Sequence, residues 1–305
     1  MNKPLARRRV LKAAAAAPLI PWAAHAQEES VGRLLFDGMS LEGWHAIPRI
    51  YVPRDETFAA MPSEKVKEEV FKLFREGNPM MKARYENRGI WTIEEGAIVG
   101  KQVPGSTEGS YLMSDETFGD FELTLEARPD WPIDTGIMVR AHEIGTVGFQ
   151  ILLDTRPDGC LGGVFGNGIG QFKAMPYLVT GDEQPGFQVA NLRQSEADKG
   201  QFIPEGSASF ADFATRWKVN DWNRIKIRCR GELPVIETWI NDIPITRLDT
   251  AKLGDYHPSW DPDFVRERLG SRGHIAFEVH DSPRSRERWA PGAACRWRNV
   301  RIVEL

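Results

Sequence analysis

Seven polar side chains have the types and spacing to do chemistry: Glu126, Arg140, His142, Gln150, Asp154, Glu278 and His280. A carboxylate or imidazole held at the right distance removes a proton as a general base, and a guanidinium beside it stabilises the anion that forms. What unites the seven is parity. From Gly119 onward, Phe121, Leu123, Leu125 and Ala127 alternate with Glu122, Thr124, Glu126 and Arg128, the period of a strand buried on one face. Between Gly136 and His142, Ile137, Val139 and Ala141 alternate with Met138, Arg140 and His142. The run from Gly148 to Asp154 keeps Gln150 and Asp154 on one parity. Three such strands side by side would gather Glu126, Arg140, His142, Gln150 and Asp154 on or near one face. A further strand, Gly273 to His280, buries Ile275, Phe277 and Val279 and presents Glu278 and His280 about 7 Å apart. Placed beside the other three, it completes a groove lined by acids, an arginine and an imidazole.

Each side chain also has a plainer reading. Glu126 and Arg140 suit a cross-strand surface ion pair contributing under about 1 kcal/mol. Asp154 precedes the turn Thr155-Arg156-Pro157-Asp158-Gly159 and caps it, and His280 leads into Asp281-Ser282-Pro283 as a structural loop-end residue. Trp239 shares parity with Asn241, so it offers a sugar-stacking platform or, more plainly, a loop plug. The ligand types for one divalent metal ion are present, with Asp154, His280 and Glu278 as candidates, but no compact ligand motif joins them. The cofactor is therefore left open. No Gly-x-Ser-x-Gly elbow exists, and the glycine-rich run Leu161 to Gln171 lacks the lysine-serine/threonine pair of a phosphate loop.

The elements that must position these residues are short strands. After a polar lead come Leu34 to Asp37, Ile90 to Ile93 and Ala97 to Gly100. Beyond the central stretch, Trp222 to Arg230, Val235 to Asn241, Ile243 to Leu248 and Cys295 to Glu304 follow, with turn signals between them. This pattern predicts an all-β, two-sheet jelly-roll sandwich. One amphipathic helix, opening at Ser63 with Val66, Val70, Phe71 and Phe74 at helical spacing, is inserted, and the long loops fall at about 51–88, 173–215 and 255–271. Residues 27–305 are thus expected to form one domain.

Residues 1–26 read as an export signal. Arg7-Arg8-Arg9-Val10-Leu11-Lys12 has the twin-arginine layout, a weakly apolar run follows, and Ala24-His25-Ala26 supplies a cleavage pattern. Pro18 and Pro21 interrupt a stretch shorter than the roughly 18 residues a membrane span needs. The expected location is periplasmic or secreted. Removing five basic residues and no acidic ones lowers the net charge from −4 to −9. With no basic tract remaining, nucleic acid and stable membrane insertion are disfavoured as partners. Three cysteines, Cys160, Cys229 and Cys295, are too few and too scattered for a zinc site or a disulfide scaffold. Cys229 lies on the apolar parity of its strand, as a buried structural thiol would.

The segments LLFDGMSLEGWH (from Leu34), GDFELTLEAR (from Gly119), TGIMVRA (from Thr135), GFQILLD (from Gly148), DWNRIKIRCRGELPVIETWINDIPI (from Asp221) and CRWRNVRI (from Cys295) together resemble the 3-keto-disaccharide hydrolase family. Of the Glu-x-Gln-x-x-Asp run carried by many members, only Gln150 and Asp154 of a comparable polar set remain. The resemblance implies a concanavalin A-like lectin/glucanase fold, a carbohydrate partner and action on glycosides oxidised to a ketone at carbon 3. Such chemistry needs a base for the carbon-2 proton, either Asp154 or His280, and a cation for the developing oxyanion, for which Arg140 is the candidate. Glu126, Gln150 and Glu278 would orient substrate or bind metal, and His142 and Trp239 would contact it. The rival reading is a non-catalytic carbohydrate-binding module on the same fold.

Overall fold

A computed structural model of the chain describes residues 32–49, 86–157, 159–176, 178–179, 210–255, 257–282 and 287–305, with isolated residues between 69 and 79. The expected leader at 1–26 and most of the insertion at 51–88 lie outside the described residues, as does 180–209; of the helix expected in the 51–88 insertion, Glu69, Lys72 and Leu73 are described and are helical, while Val66, Val70, Phe71 and Phe74 lie outside.

Two antiparallel sheets form a sandwich. The eight-stranded sheet runs β13 (Ile243–Asp249), β12 (Val235–Ile240), β11 (Asn223–Arg230), β6 (Phe121–Pro129), β15 (Cys295–Glu304), β4 (Ala97–Lys101) and β3 (Ile90–Glu94), with β1 (Arg33–Leu34) paired to β15. The seven-stranded sheet runs β10 (Lys173–Ala174), β9 (Leu161–Asn167), β8 (Gly148–Leu153), β7 (Gly136–Ala141), β14 (His274–Val279), β5 (Ser110–Ser114) and β2 (Trp44–Pro48). The chain crosses between sheets repeatedly, as the expected jelly roll requires. Period-2 alternation does the sorting: β6 buries Phe121, Leu123, Leu125 and Ala127 and leaves the residues between them half-buried. Facing them are Ile137 and Val139, Phe149 and Ile151, and Ile275, Phe277 and Val279, all within one buried cluster. A column of rings joins the two sheets. Trp44 stacks on Phe277 (5.1 Å between centroids), Phe277 on Trp297 (4.9 Å), and Trp297 lies 5.7 Å from Trp91.

Two hairpins close as their sequences dictate. Glu95-Gly96 between β3 and β4, and Asn241-Asp242 between β12 and β13, all have positive φ, the geometry of a turn whose twist matches the strands. Two expectations are corrected. The strand containing Glu126 is not beside those of Arg140 and Gln150: β6 sits centrally in the eight-stranded sheet, and residues 130–135 carry the chain across to β7 in the other. The expected loop 255–271 also contains a helix, α2 (Pro262–Leu269), which follows the five-residue α1 (Phe210–Ala214). Asp261 caps it by accepting from the backbone N–H groups of Asp263 and Phe264, Pro262 opens it and Gly270 ends it. The three cysteines are buried free thiols, and burial pushes the Cys229 thiol up to about 12. Among the described residues, no helix is long and apolar enough to cross a membrane.

Candidate functional site

The outer face of the seven-stranded sheet holds a chain of buried ionisable groups that begins at Glu278. In β14 the core takes Ile275, Phe277 and Val279, so Glu278 points outward, yet it is fully buried. Its Oε1 accepts from Arg49 Nε (2.7 Å) and from the Tyr111 hydroxyl (3.3 Å), and its Oε2 accepts from Gln150 Nε2 (2.5 Å). Gln150 belongs to β8, with β7 between it and β14. The reach is possible because the pairing Phe277↔Ile137, continued by one residue, sets Gly136 opposite Glu278. A Cβ there would lie 3.0 Å from both Cγ and Nε2 of Gln150, so glycine leaves the gap the amide fills. Beside this node, Ile47, Tyr111, Met113, Met138, Ala141 and Ala276 form a second apolar cluster. The turn at Gly145 lies against Tyr111 and Ile47.

Arg49 also donates to Asp281, whose carboxylate lies 3.2 Å from His280 Nδ1. Burial alone would raise the Asp281 carboxyl, but the Arg49 charge and the His280 bond outweigh it and hold it well below the usual carboxylate range. His280 Nδ1 is 2.7 Å from the Asp281 carbonyl oxygen, which can only accept, and Nε2 is 3.2 Å from Arg288 Nη1, which can only donate. These partners assign the proton to Nδ1 and leave the Nε2 lone pair engaged by Arg288.

Arg288 Nη1 donates to Asp134 Oδ2 at 2.6 Å, and Arg156 Nη2 donates to the same oxygen at 2.8 Å. Arg156 also grips Asp154, with Nε to Oδ1 at 2.9 Å and Nη2 to Oδ2 at 2.6 Å. Two buried carboxylates thus share one guanidinium, and their environments pull them apart. Asp134 is held below its usual range because, against its burial, the Arg156 and Arg288 guanidinium groups and the hydrogen bond from Arg288 favour its charged form. Asp154 is pushed up to about 7 by burial and by the Asp134 charge, against the pull of Arg156. Side-chain exposure is 11% for Asp154 and Arg156 and 27% for Arg288, against none for Glu278. Arg49 is also 11% exposed, so solvent reaches both ends of the chain and Arg288 is its most open member.

The structure brings together Gln150, Asp154, Glu278 and His280 from the sequence-derived set and leaves four elsewhere. Arg140 has φ 49, and the β7–β14 register shifts at this point. Its guanidinium donates to Gly119 O (3.0 Å), Asp120 Oδ1 (2.9 Å) and Gly231 O (3.2 Å), tying β7 to the other sheet. Glu126 lies on the outer face of the opposite sheet, accepting from Arg298 (2.7 Å) and Asn299 (2.6 Å). Trp239 shares that face. His142 opens the turn between β7 and β8, its N–H bonded to Val147 O. Of the residues that parity missed, Arg49, Asp134, Arg156 and Asp281 sit just beyond strand ends, Arg288 lies in the connection between β14 and β15, and Tyr111 lies within β5.

A divalent metal does not fit the three candidate ligands. Both Glu278 oxygens are taken by donors, Asp154 is held by Arg156, and His280 Nε2 faces a guanidinium. Among the described residues, no group of three or more His, Cys, Asp or Glu could hold an ion.

Comparison with known proteins gives one family. A model described as the 3-keto-alpha-glucoside-1,2-lyase-like domain matches residues 32–303. No curated protein matches the chain. Among solved structures, a candidate glycosyl hydrolase from Parabacteroides distasonis ATCC 8503 is 14% identical, covering 90% of this chain and 94% of its own, with a TM-score of 0.45. The carbohydrate-binding module CBM66 from Bacillus subtilis is 14% identical, covering 70% and 91%, with a TM-score of 0.39. A Bacillus subtilis protein of unknown function with a galectin-like fold is 13% identical, covering 71% and 86%, with a TM-score of 0.41.

Proposed function

The chain belongs to the family of 3-keto-alpha-glucoside-1,2-lyase-like domains, and from that premise we propose that it cleaves glycosides carrying a ketone at carbon 3. The coarser assignment, to carbohydrate processing or binding, follows from membership. The observation that carries the finer reading is the Asp154 carboxyl, buried beside the more open Arg288, gripped by Arg156 and pushed up to about 7. A base with that affinity for protons is matched to work near neutral pH.

A ketone at carbon 3 acidifies the proton on carbon 2. Asp154 takes that proton, and the electron pair left behind becomes the carbon 2–carbon 3 double bond of an enediolate. Arg156 and Arg288 stabilise the charge on the carbon-3 oxygen. As the ketone re-forms, the electrons shift to carbons 1 and 2 and expel the group on carbon 1, whose oxygen recovers the proton from Asp154. Water then adds across the new double bond to give the free 3-keto sugar. No oxocarbenium ion forms, so the carboxylate spacing of ordinary glycosidases does not apply. His280 is a positioning residue for Arg288, because its lone pair is already engaged. Glu278 and Gln150 hold the floor beneath.

Following exchange at carbon 2 of a 3-keto-glucoside in deuterated water by NMR tests this. Asp154→Asn should abolish both exchange and product, while His280→Gln should keep exchange and lower kcat. Exchange at the wild-type rate in Asp154→Asn would remove the proposal. Tight substrate binding by the wild type without exchange would leave the carbohydrate-binding module in its place. Export by the twin-arginine route belongs to the same proposal, on the strength of Arg7 and Arg8. It is checked by whether protein recovered from the periplasm lacks residues 1–26.

A further inference from the structure

The outer face of the eight-stranded sheet carries a second constellation, unconnected to the first. Register aligns Glu122, Arg228, Glu237 and Arg247 in one row across β6, β11, β12 and β13, with Lys226 and Trp239 paired in the next. Glu122 and Arg228 are fully matched, by two hydrogen bonds of 3.0 and 2.7 Å. Glu237 is oversubscribed. Its buried carboxylate has Arg228 at 3.5 Å, Arg230 at 3.4 Å and Arg247 at 3.4 Å, each longer than a tight charge-assisted bond. Arg230 and Arg247 are 50% and 42% exposed. The Lys226 ammonium lies 4.5 Å from the Trp239 ring centroid and the Arg228 guanidinium 5.3 Å from it. Asp249, at the margin, has Lys252 as its own partner. The patch is therefore locally cationic on a chain whose net charge is −4.

We propose that this patch is a binding site for acidic sugars, uronate-bearing oligosaccharides, separate from the site of chemistry on the other sheet. Charges interact over only about 8 Å at physiological ionic strength, so the local surplus governs and the overall sign does not repel the ligand. Arg230 and Arg247 supply planar donors for a carboxylate without having to leave a tight partner. Trp239, with cations held against it, supplies an aromatic surface for the apolar face of a sugar ring. A ligand that combines a ring with a carboxylate uses both features at once. A neutral glycan uses only the second.

The test is titration of the full chain with an oligogalacturonate, a neutral maltodextrin of equal length and an oligothymidylate. Binding of the oligogalacturonate alone, weakening with salt, is the expected result. Arg230→Gln with Arg247→Gln should weaken it about tenfold, leaving 3-keto-glucoside turnover unchanged at temperatures well below Tm, which itself falls because the buried Glu237 carboxylate loses two of its cations. Arg247→Glu, a reversal at an exposed position, should weaken it further. Absence of oligogalacturonate binding, equal affinity for the maltodextrin or the oligothymidylate, or unchanged affinity in both variants overturns the proposal.

Discussion

Asp154 and Asp281 respond to pH in opposite senses. A carboxyl raised in the fold stabilises it while protonated, so the Asp154 contribution is complete below the ordinary value of about 4 and is lost as pH climbs through about 7. Asp281 and Asp134 are lowered, so their contributions are present above about pH 4 and disappear on acidification. Tm should accordingly decline on both sides of a plateau, and Asp154→Asn should abolish the neutral-side decline while keeping the acid-side one. Scanning Tm against pH for both proteins reads this directly. A neutral-side decline that persists in the variant would assign it to another group. The rate of carbon-2 exchange should rise over the same range in which Asp154 ionises. Gln150, Asp154, Glu278 and His280 were legible from alternation because strand period fixes which face a residue takes. Arg156, Asp281 and Arg288 were not, because outside a strand the period says nothing about direction.

Arg140 shows where alternation fails inside an element. Sequence puts Ala141 on the core side with Ile137 and Val139, and Arg140 on the outer side with Met138. The left-handed backbone at Arg140 reverses this: Ala141 joins Met138 in the outer apolar cluster, and Arg140 turns toward Gly119 and Gly231. Gly273 permits the bulge, since a Cβ there would stand 2.6 Å from the Arg140 carbonyl carbon. Strand positions were readable, whereas this irregularity and the membership of each strand in one sheet or the other were not, being set by pairing partners far along the chain. Arg140 acts as a clamp, so Arg140→Met should leave the Gly119 and Gly231 carbonyls without their donor. The expected cost is about 1–3 kcal/mol in urea unfolding with kcat unchanged. Loss of turnover in a folded Arg140→Met protein would instead return the arginine to the chemistry.

At the scale of the molecule, the two proposed sites lie on opposite outer faces, and the core must hold those faces as one body. The ring column does this, because Trp44 and Phe277 come from the seven-stranded sheet and Trp91 and Trp297 from the eight-stranded one. Phe277 lies between Trp44 and Trp297 and immediately precedes Glu278, so packing energy and site geometry meet at adjacent residues. Its replacement by alanine removes contacts to both sheets and should cost about 3–5 kcal/mol. Tryptophan fluorescence and far-ultraviolet circular dichroism should then report coincident unfolding midpoints in the wild type and midpoints lowered together in Phe277→Ala. If the sheets were only loosely joined, the two signals would separate in the variant, and turnover would survive after the fluorescence change was complete. Coincidence, with turnover lost in the same transition, would mean that Glu278 and the residues it holds are positioned by the whole sandwich.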